Sequence, residues 1–390
     1  MKVLHCCLAN FYIDNYGYQE NILPKMHKQQ GHDVRIVAST ETYIDNKKLG
    51  YIQPSSYYTG ENIPITRLSY QKWLPHFVMK KLRLYSGLQV QLEAFNPDVI
   101  FLHDCQFLSI FTIIKYLKRN PGVQVYIDCH TDLINSATNW ISMNILHKIV
   151  YRFCAKSVEK YTTWFYGTLP TRNDFLRQIY GIAPQKVKLL PLGVDDSSFS
   201  WDEEQSIRTT IRSKLNIQES DFVIISGGKI DEKKNIHILI ESFSDLMKNM
   251  IISNAKLIIF GEPTDEMKES LNAAFSDRDI LYLKWLPSNE IYKYFFASDL
   301  ACFPGTHSVL WETAVGLGLP CVFQKWDGIQ HVDVGGNCVF LQNGKDIAEI
   351  QEVLQRIIND KLFYQQMKNF AQAEGPRNFS YTQIARKALS

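Results

Sequence analysis

Short apolar runs alternate with longer segments of helical period along this chain, and the rhythm runs through twice. Residues 2–7 read as a strand and 19–30 as a helix, which Gly31 stops before a second strand at 33–39. Strands at 98–102, 123–128 and 162–166 follow, with helices at 107–117 and 171–180. The rhythm restarts after Leu189-Leu190-Pro191-Leu192-Gly193-Val194-Asp195. Strands are then expected at 222–226, 256–260, 280–284, 300–303 and 320–323. Helices are expected at 235–250, 289–297 and 309–317, and from there to the end. Such alternation implies parallel sheets with helices on both faces. The expected fold is therefore α/β, with two Rossmann-like parallel-sheet domains facing a central cleft. The boundaries read as 1–190, 191–375 and a tail, 376–390, whose packing back on the N-terminal domain is left open. Open parallel sheets bind ligands beyond the carboxyl ends of their strands, so the cleft is where chemistry is expected.

Bulk properties narrow the classes. With 42 Lys and Arg against 40 Asp and Glu, the chain lacks the basic excess of a general nucleic-acid binder. Its eight cysteines form no Cys-x-x-Cys pair and several sit in apolar runs, so they read as small core side chains in a reducing compartment. Met1-Lys2-Val3-Leu4-His5 enters a strand-like run with no apolar leader segment behind it. No stretch is long enough to span a bilayer. A cytoplasmic placement is expected, with attachment to the inner face of the membrane left open. No pattern specifies an oligomeric state.

Two segments carry chemistry. In Ser226-Gly227-Gly228-Lys229-Ile230-Asp231-Glu232-Lys233-Lys234-Asn235 a strand ends, two glycines follow, and Lys229 and Lys234 precede a helix. Glycines let a phosphate approach the backbone, and two ammonium groups can hold a diphosphate. A tight turn followed by a solvated charge run is the plainer alternative. In Phe303-Pro304-Gly305-Thr306-His307-Ser308-Val309-Leu310-Trp311-Glu312 a strand ends in a polar loop and a short helix begins. The amides of Ser308, Val309 and Leu310 can receive a phosphate there, and Glu312 can accept two hydrogen bonds from a ribose diol. An exposed acid favoured by the helix dipole is the alternative for Glu312.

The order Leu190-Pro191-Leu192-Gly193-Val194-Asp195, Gly228-Lys229, Lys234-Asn235, Phe260-Gly261-Glu262, Trp285-Leu286-Pro287 and Glu312-Thr313-Ala314 resembles the C-terminal half of retaining GT-B glycosyltransferases of the family 4 group. Tyr16-Gly17-Tyr18-Gln19-Glu20-Asn21 and Gln30-Gly31-His32-Asp33-Val34 resemble its N-terminal loop, helix and strand, in the branch that builds bacterial surface polysaccharides. The resemblance implies roles. Lys229 and Lys234 would face the donor diphosphate, and Glu312 would grip the nucleotide ribose. The Leu286 backbone would read the base. Gly17 would let the donor approach, and His130 would lie beside the donor sugar. The implied reaction moves a sugar from a UDP- or GDP-linked donor to a glycan or lipid-linked saccharide, in capsule, O-antigen or exopolysaccharide synthesis. It needs no bound metal and no further cofactor.

The chain departs from the family at one place. An acid should lie eight positions before Glu312, near the donor sugar, and Pro304 stands there instead. The loop is also short, and His307 and Ser308 are the candidates to take the acid's place. Asn235 replaces a glycine after Lys234. His103, Asp128 and His130 lack the ligand spacing of a zinc site. Residues 73–85 mix basic, aromatic and aliphatic side chains at helical spacing. They read either as a helix packed on the N-terminal sheet, with Lys80, Lys81 and Arg83 in solvent, or as a peripheral membrane contact. Three other readings stand beside the transferase. A nicotinamide-dependent oxidoreductase fails for want of Gly-x-Gly-x-x-Gly. A sugar-nucleotide epimerase of the same fold lacks a convincing set of catalytic acids. A non-catalytic GT-B partner subunit draws support from the missing acid.

Overall fold

The computed structural model describes residues 1–44, 48–133 and 136–390. The chain divides into two compact units, Met1–Pro191 with Ala385–Ser390, and Leu192–Ile384.

The first unit holds β1 (Lys2–Cys7), β2 (Asp33–Ser39), β3 (Glu41–Ile44), β4 (Lys48–Tyr51), β5 (Ser55–Tyr58), β6 (Pro64–Leu68), β7 (Val99–His103), β8 (Gln124–Cys129), β9 (Trp164–Gly167) and β10 (Val187–Leu189). Eight of them form one sheet in the order β10-β9-β8-β7-β1-β2-β6-β5. Only β5 runs antiparallel to its neighbour; β3 and β4 make a separate hairpin. The central strand β7 is buried at every residue, as expected for a strand covered on both faces.

The second unit holds β11 (Phe222–Gly227), β12 (Ala255–Phe260), β13 (Ile280–Tyr282), β14 (Leu300–Phe303), β15 (Cys321–Gln324) and β16 (Cys338–Leu341), all parallel, in the order β13-β12-β11-β14-β15-β16. Its two apolar clusters lie on either side of the sheet because strand side chains alternate: Ile225, Ala301 and Phe323 join one, Ile224, Cys302 and Val322 the other. Asp299 anchors the entry to β14. It receives Arg208 and Arg212, each at 2.7 Å, and the Val223 amide at 2.8 Å.

The expected strands and helices of both rhythms are present, with ends shifted by a few residues. Helices alone were expected after residue 323, but β16 pairs with β15 there. The expected boundary at 375 falls inside the helix Lys361–Phe379. In the segment 73–85 only His76–Leu82 is helical. Arg83 is not left to solvent as expected: it takes a left-handed backbone and donates to the Gln106 carbonyl at 2.9 Å. All eight cysteines are free. Among the described residues, no helix is long and apolar enough to cross a membrane.

Candidate functional site

The turn after β11 and the loop after β14 form one structure. Gly228 has φ of 106° and Gly261 has φ of 120°, and a Cβ on Gly261 would fall far inside contact distance of the Gly228 carbonyl oxygen. Only glycine allows this approach. Farther along, Lys234 donates to the Thr306 carbonyl at 2.7 Å and the His307 carbonyl at 3.0 Å. The Asn235 amide donates to the Pro304 carbonyl at 3.0 Å, and the Thr306 amide donates to the Lys233 carbonyl at 3.0 Å. Gly305 packs backbone to backbone on Lys233 and Lys234. Asn235 has φ of 52°, a conformation asparagine tolerates better than most residues, which accounts for asparagine standing in place of glycine.

Lys234 is therefore a half-buried ammonium among neutral carbonyls. Burial lowers its pKa, Asp231 raises it, and Lys229 lowers it further. Lys229 itself is exposed and reaches Asp231 at 3.3 Å. The two lysines thus feel one another, and an anion between them would relieve the repulsion. Gly228 adjoins Leu310, since a Cβ there would meet the Leu310 side chain at 3.1 Å. Ser308 is partly buried and Val309 is exposed at the start of the helix Leu310–Gly316. Leu286 lies in the same apolar cluster as Phe303 and Trp311.

Glu312 is not the exposed acid of the plainer alternative. It is fully buried and holds two histidines on one oxygen: His307 Nε2 at 2.8 Å and His331 Nε2 at 2.9 Å from Oε1. Its Oε2 is buried with no hydrogen-bond partner. Burial pushes the carboxyl up, but His307 and His331 outweigh it and hold it at about 2. His307, Glu312 and His331 are close enough to share a divalent ion. As they stand, each histidine N–H satisfies the carboxylate directly. His331 lies in the segment between β15 and β16, and nothing in its local sequence marked it.

Gly17 and His130 lie in the first unit. Gly17 is exposed in the loop between β1 and the helix Gln19–Gln29. His130 follows β8 with Nε2 3.3 Å from Asp128 Oδ2. Burial lowers its pKa, but Asp128 and Glu20 outweigh that and raise it to about 9. Glu20, His103 and His130 also cluster. His103 has both ring nitrogens in hydrogen bonds, with His5 at 3.0 Å and Asp128 at 2.9 Å, so as the rings stand neither nitrogen is turned to an ion shared with Glu20 and His130.

Two parallel-sheet Rossmann-like units in succession define the GT-B architecture. Residues 207–374, within the second unit, match the family described as glycosyl transferases group 1. Mannosylfructose-phosphate synthase of Agrobacterium fabrum is 20% identical over 253 residues, covering 62% of this chain and 53% of the relative. The chain thus spans about half the length of that relative. A UDP-Gal:alpha-D-GlcNAc-diphosphoundecaprenol alpha-1,3-galactosyltransferase of Escherichia coli is 22% identical, covering 75% of this chain and 74% of the relative. Among solved structures, Anabaena Alr3699/HepE in complex with UDP superposes with a TM-score of 0.64 at 15% identity, covering 99% of this chain and 98% of that one.

Proposed function

We propose that the chain is a retaining glycosyltransferase that moves a sugar from a UDP- or GDP-linked donor to a glycan or lipid-linked saccharide acceptor. The observation that carries this is Lys234: a half-buried ammonium held at 2.7 Å from the Thr306 carbonyl, at the carboxyl ends of β11 and β14. Departure of a nucleotide diphosphate builds negative charge on the β-phosphate. An ammonium already fixed in place, with Lys229 beside it, stabilises that charge without reorganising. Gly228 leaves room for the phosphates. Retention would follow from attack on the face the leaving group vacates, with a phosphate oxygen taking the acceptor proton. No protein base or bound metal is invoked. The chain's likeness to a UDP-bound protein fold and to a transferase that acts on a diphosphoundecaprenol acceptor supports this reading.

A second reading, a non-catalytic GT-B partner of a true transferase, is favoured by Glu312. Its buried carboxylate is closed over by His307, so ribose can reach it only if that loop shifts. The two readings separate in one assay. UDP- and GDP-sugars are offered with a lipid-linked saccharide, and nucleotide diphosphate release is measured for the wild type and Lys234→Met. Release that depends on acceptor and is lost in the variant supports the enzyme. Nucleotide binding with no release under any donor would sink it.

The acceptor side has its own signature in the first unit. Ile141, Ile145, Ile149 and Phe153 recur every fourth residue and are exposed, with Trp140 70% exposed beside them. Lys148, Arg152, Lys156 and Lys160 form a second exposed row on the same segment. The Tyr151 hydroxyl donates to the Lys81 carbonyl at 2.8 Å, which joins this segment to the helix bearing exposed Phe77. Exposed apolar and basic rows side by side suit an anionic membrane surface, where a lipid-linked acceptor would be met.

A further inference from the structure

Three buried imidazoles cross the interior of the first unit in a single file. His27, on the helix Gln19–Gln29, has Nε2 3.0 Å from the Ala385 carbonyl oxygen. Its Nδ1 lies 3.0 Å from His5 Nε2 on β1. His5 Nδ1 lies 3.0 Å from His103 Nε2 on β7, and His103 Nδ1 lies 2.9 Å from Asp128 Oδ2 on β8. All three histidines are fully buried.

Both ends of the file accept only. Ala385 offers a carbonyl. Asp128 is ringed by donors: Gln19 reaches Oδ2 at 3.1 Å and the Asp104 amide reaches Oδ1 at 3.3 Å. Burial pushes the Asp128 carboxyl up, but His103 and His130 outweigh it and hold it well below the usual carboxylate range. The four contacts need four hydrogens, and three neutral imidazoles carry only three. The file closes only if one ring is an imidazolium. With the aspartate anion, the set then has no net charge, which is the cheap way to bury it.

The site of the extra hydrogen follows. Burial, with His27 and His103 nearby, lowers His5 well below its ordinary value, and burial brings His27 down to about 3. Both are neutral. The hydrogen therefore belongs to His103, against the Asp128 anion. The other groups facing the set are Glu20 on the same helix as His27, Asp104 after β7, the Cys7 thiol on β1, Arg172 beside His130 and His32 beside His27. Burial pushes the Cys7 thiol up, so it stays neutral. Asp104, also raised by burial, accepts from Gln106 at 3.1 Å, the Thr131 hydroxyl at 3.1 Å and the His130 amide at 3.3 Å, and touches none of the three file histidines.

We propose that His27, His5 and His103 hold one excess proton, kept on His103 by the Ala385 carbonyl at the far end, and that this charge moderates the pull of Asp128 on His130. His103 is then a positioning residue acting through Asp128. The importance of His130 to a donor sugar rests on the transferase reading; the hydrogen count does not.

The test is nitrogen NMR of the histidine rings in the whole chain, with two variants of the anchor. His27→Gln keeps a donor for Ala385 and an acceptor for His5, so the count is unchanged. His27→Leu removes the anchor, so His5 can turn its hydrogen toward His103 and the extra proton is no longer needed. The expected result is a doubly protonated His103 at neutral pH in the wild type and His27→Gln, and a singly protonated one in His27→Leu. His130 should hold its proton to a higher pH in His27→Leu alone. Three singly protonated rings in the wild type would overturn the proposal, as would an unchanged His130 titration across all three proteins. If His27→Leu does not fold, the wild-type and His27→Gln spectra decide by themselves. No donor or acceptor is added, so failure here is distinct from failure of the transferase reading.

Discussion

The ammonium of Lys234 donates to the carbonyl of Thr306 at 2.7 Å, and so ties the turn after β11 to the loop after β14. Replacing it separates two roles. Lys234→Met keeps most of the bulk and removes the charge. Each hydrogen bond to a charged group contributes about 1.5–3 kcal/mol, reduced here by partial exposure. A loss of about 1–3 kcal/mol in unfolding free energy is expected by denaturant titration. Turnover of the nucleotide sugar should fall further, by roughly 100- to 1,000-fold, as when one preorganised donor is removed from a developing anion. Unchanged turnover in a folded variant would remove the proposed diphosphate site.

Glu312 makes a pH prediction. Its ordinary value is 4.5 and its folded value is about 2. The unfolded chain therefore takes up the proton first as acid is added. The stabilisation is complete above about 4.5 and disappears as pH falls through about 2. A shift of this size corresponds to roughly 3 kcal/mol at neutral pH. Glu312→Gln should lose a comparable amount at neutral pH and show a flatter acid limb. Equal acid limbs in thermal unfolding of the two proteins would show that His307 and His331 do not stabilise the anion.

Gly261 is a steric prediction. Any side chain there meets the Gly228 carbonyl, and the backbone sits at φ of 120°. Gly261→Ala should cost about 3 kcal/mol or more and disturb the turn after β11 with it. Gly122→Ala is the control, because a Cβ at Gly122 has nothing within 4 Å. Its effect should stay within about 0.5 kcal/mol. Similar melting temperatures for the two variants would mean the β11 and β12 turns are not in backbone contact.

The sheets were legible because buried parallel strands are continuous apolar runs, as in Val99-Ile100-Phe101-Leu102. The strands that escaped notice are mostly short edge or hairpin strands, but β6, paired between β2 and β5, escaped too because Thr66 and Arg67 interrupt its apolar run. β5 is largely exposed and β16 only partly buried, so neither shows a clear apolar run. The tight turn after β11 was legible because glycines and lysines are close in sequence. The histidine sets were not. His331 is 19 residues from Glu312, and His5 is 98 residues from His103. His5, His103 and Asp128 meet only because β7 pairs with β1 on one side and places His103 opposite Asp128 of β8 on the other. Parallel register, set by core packing, does what local pattern cannot record. Pro304 illustrates the same limit: its sequence showed a missing acid, while the structure shows its carbonyl receiving Asn235.

The membrane reading rests on the pairing of two rows, and charge and apolarity can be separated by experiment. Ile145 and Ile149 are exposed on the apolar row, while Lys148 and Arg152 belong to the basic one. Each basic residue near an anionic leaflet contributes about 1 kcal/mol, screened by salt, whereas apolar insertion is not screened. Cosedimentation with vesicles containing anionic phospholipid should therefore be strong at low salt and weaker at high salt. Ile145→Glu with Ile149→Glu should abolish it at every salt concentration. Lys148→Gln with Arg152→Gln should weaken it at low salt and flatten the salt dependence. All four residues are exposed, and the Arg152 bond to the Ile179 carbonyl at 3.3 Å is a single exposed contact, so the variants should fold and keep a melting temperature close to the wild type. Binding that survives the glutamate pair would place the contact elsewhere, and binding that ignores lipid charge would leave the basic row without a role.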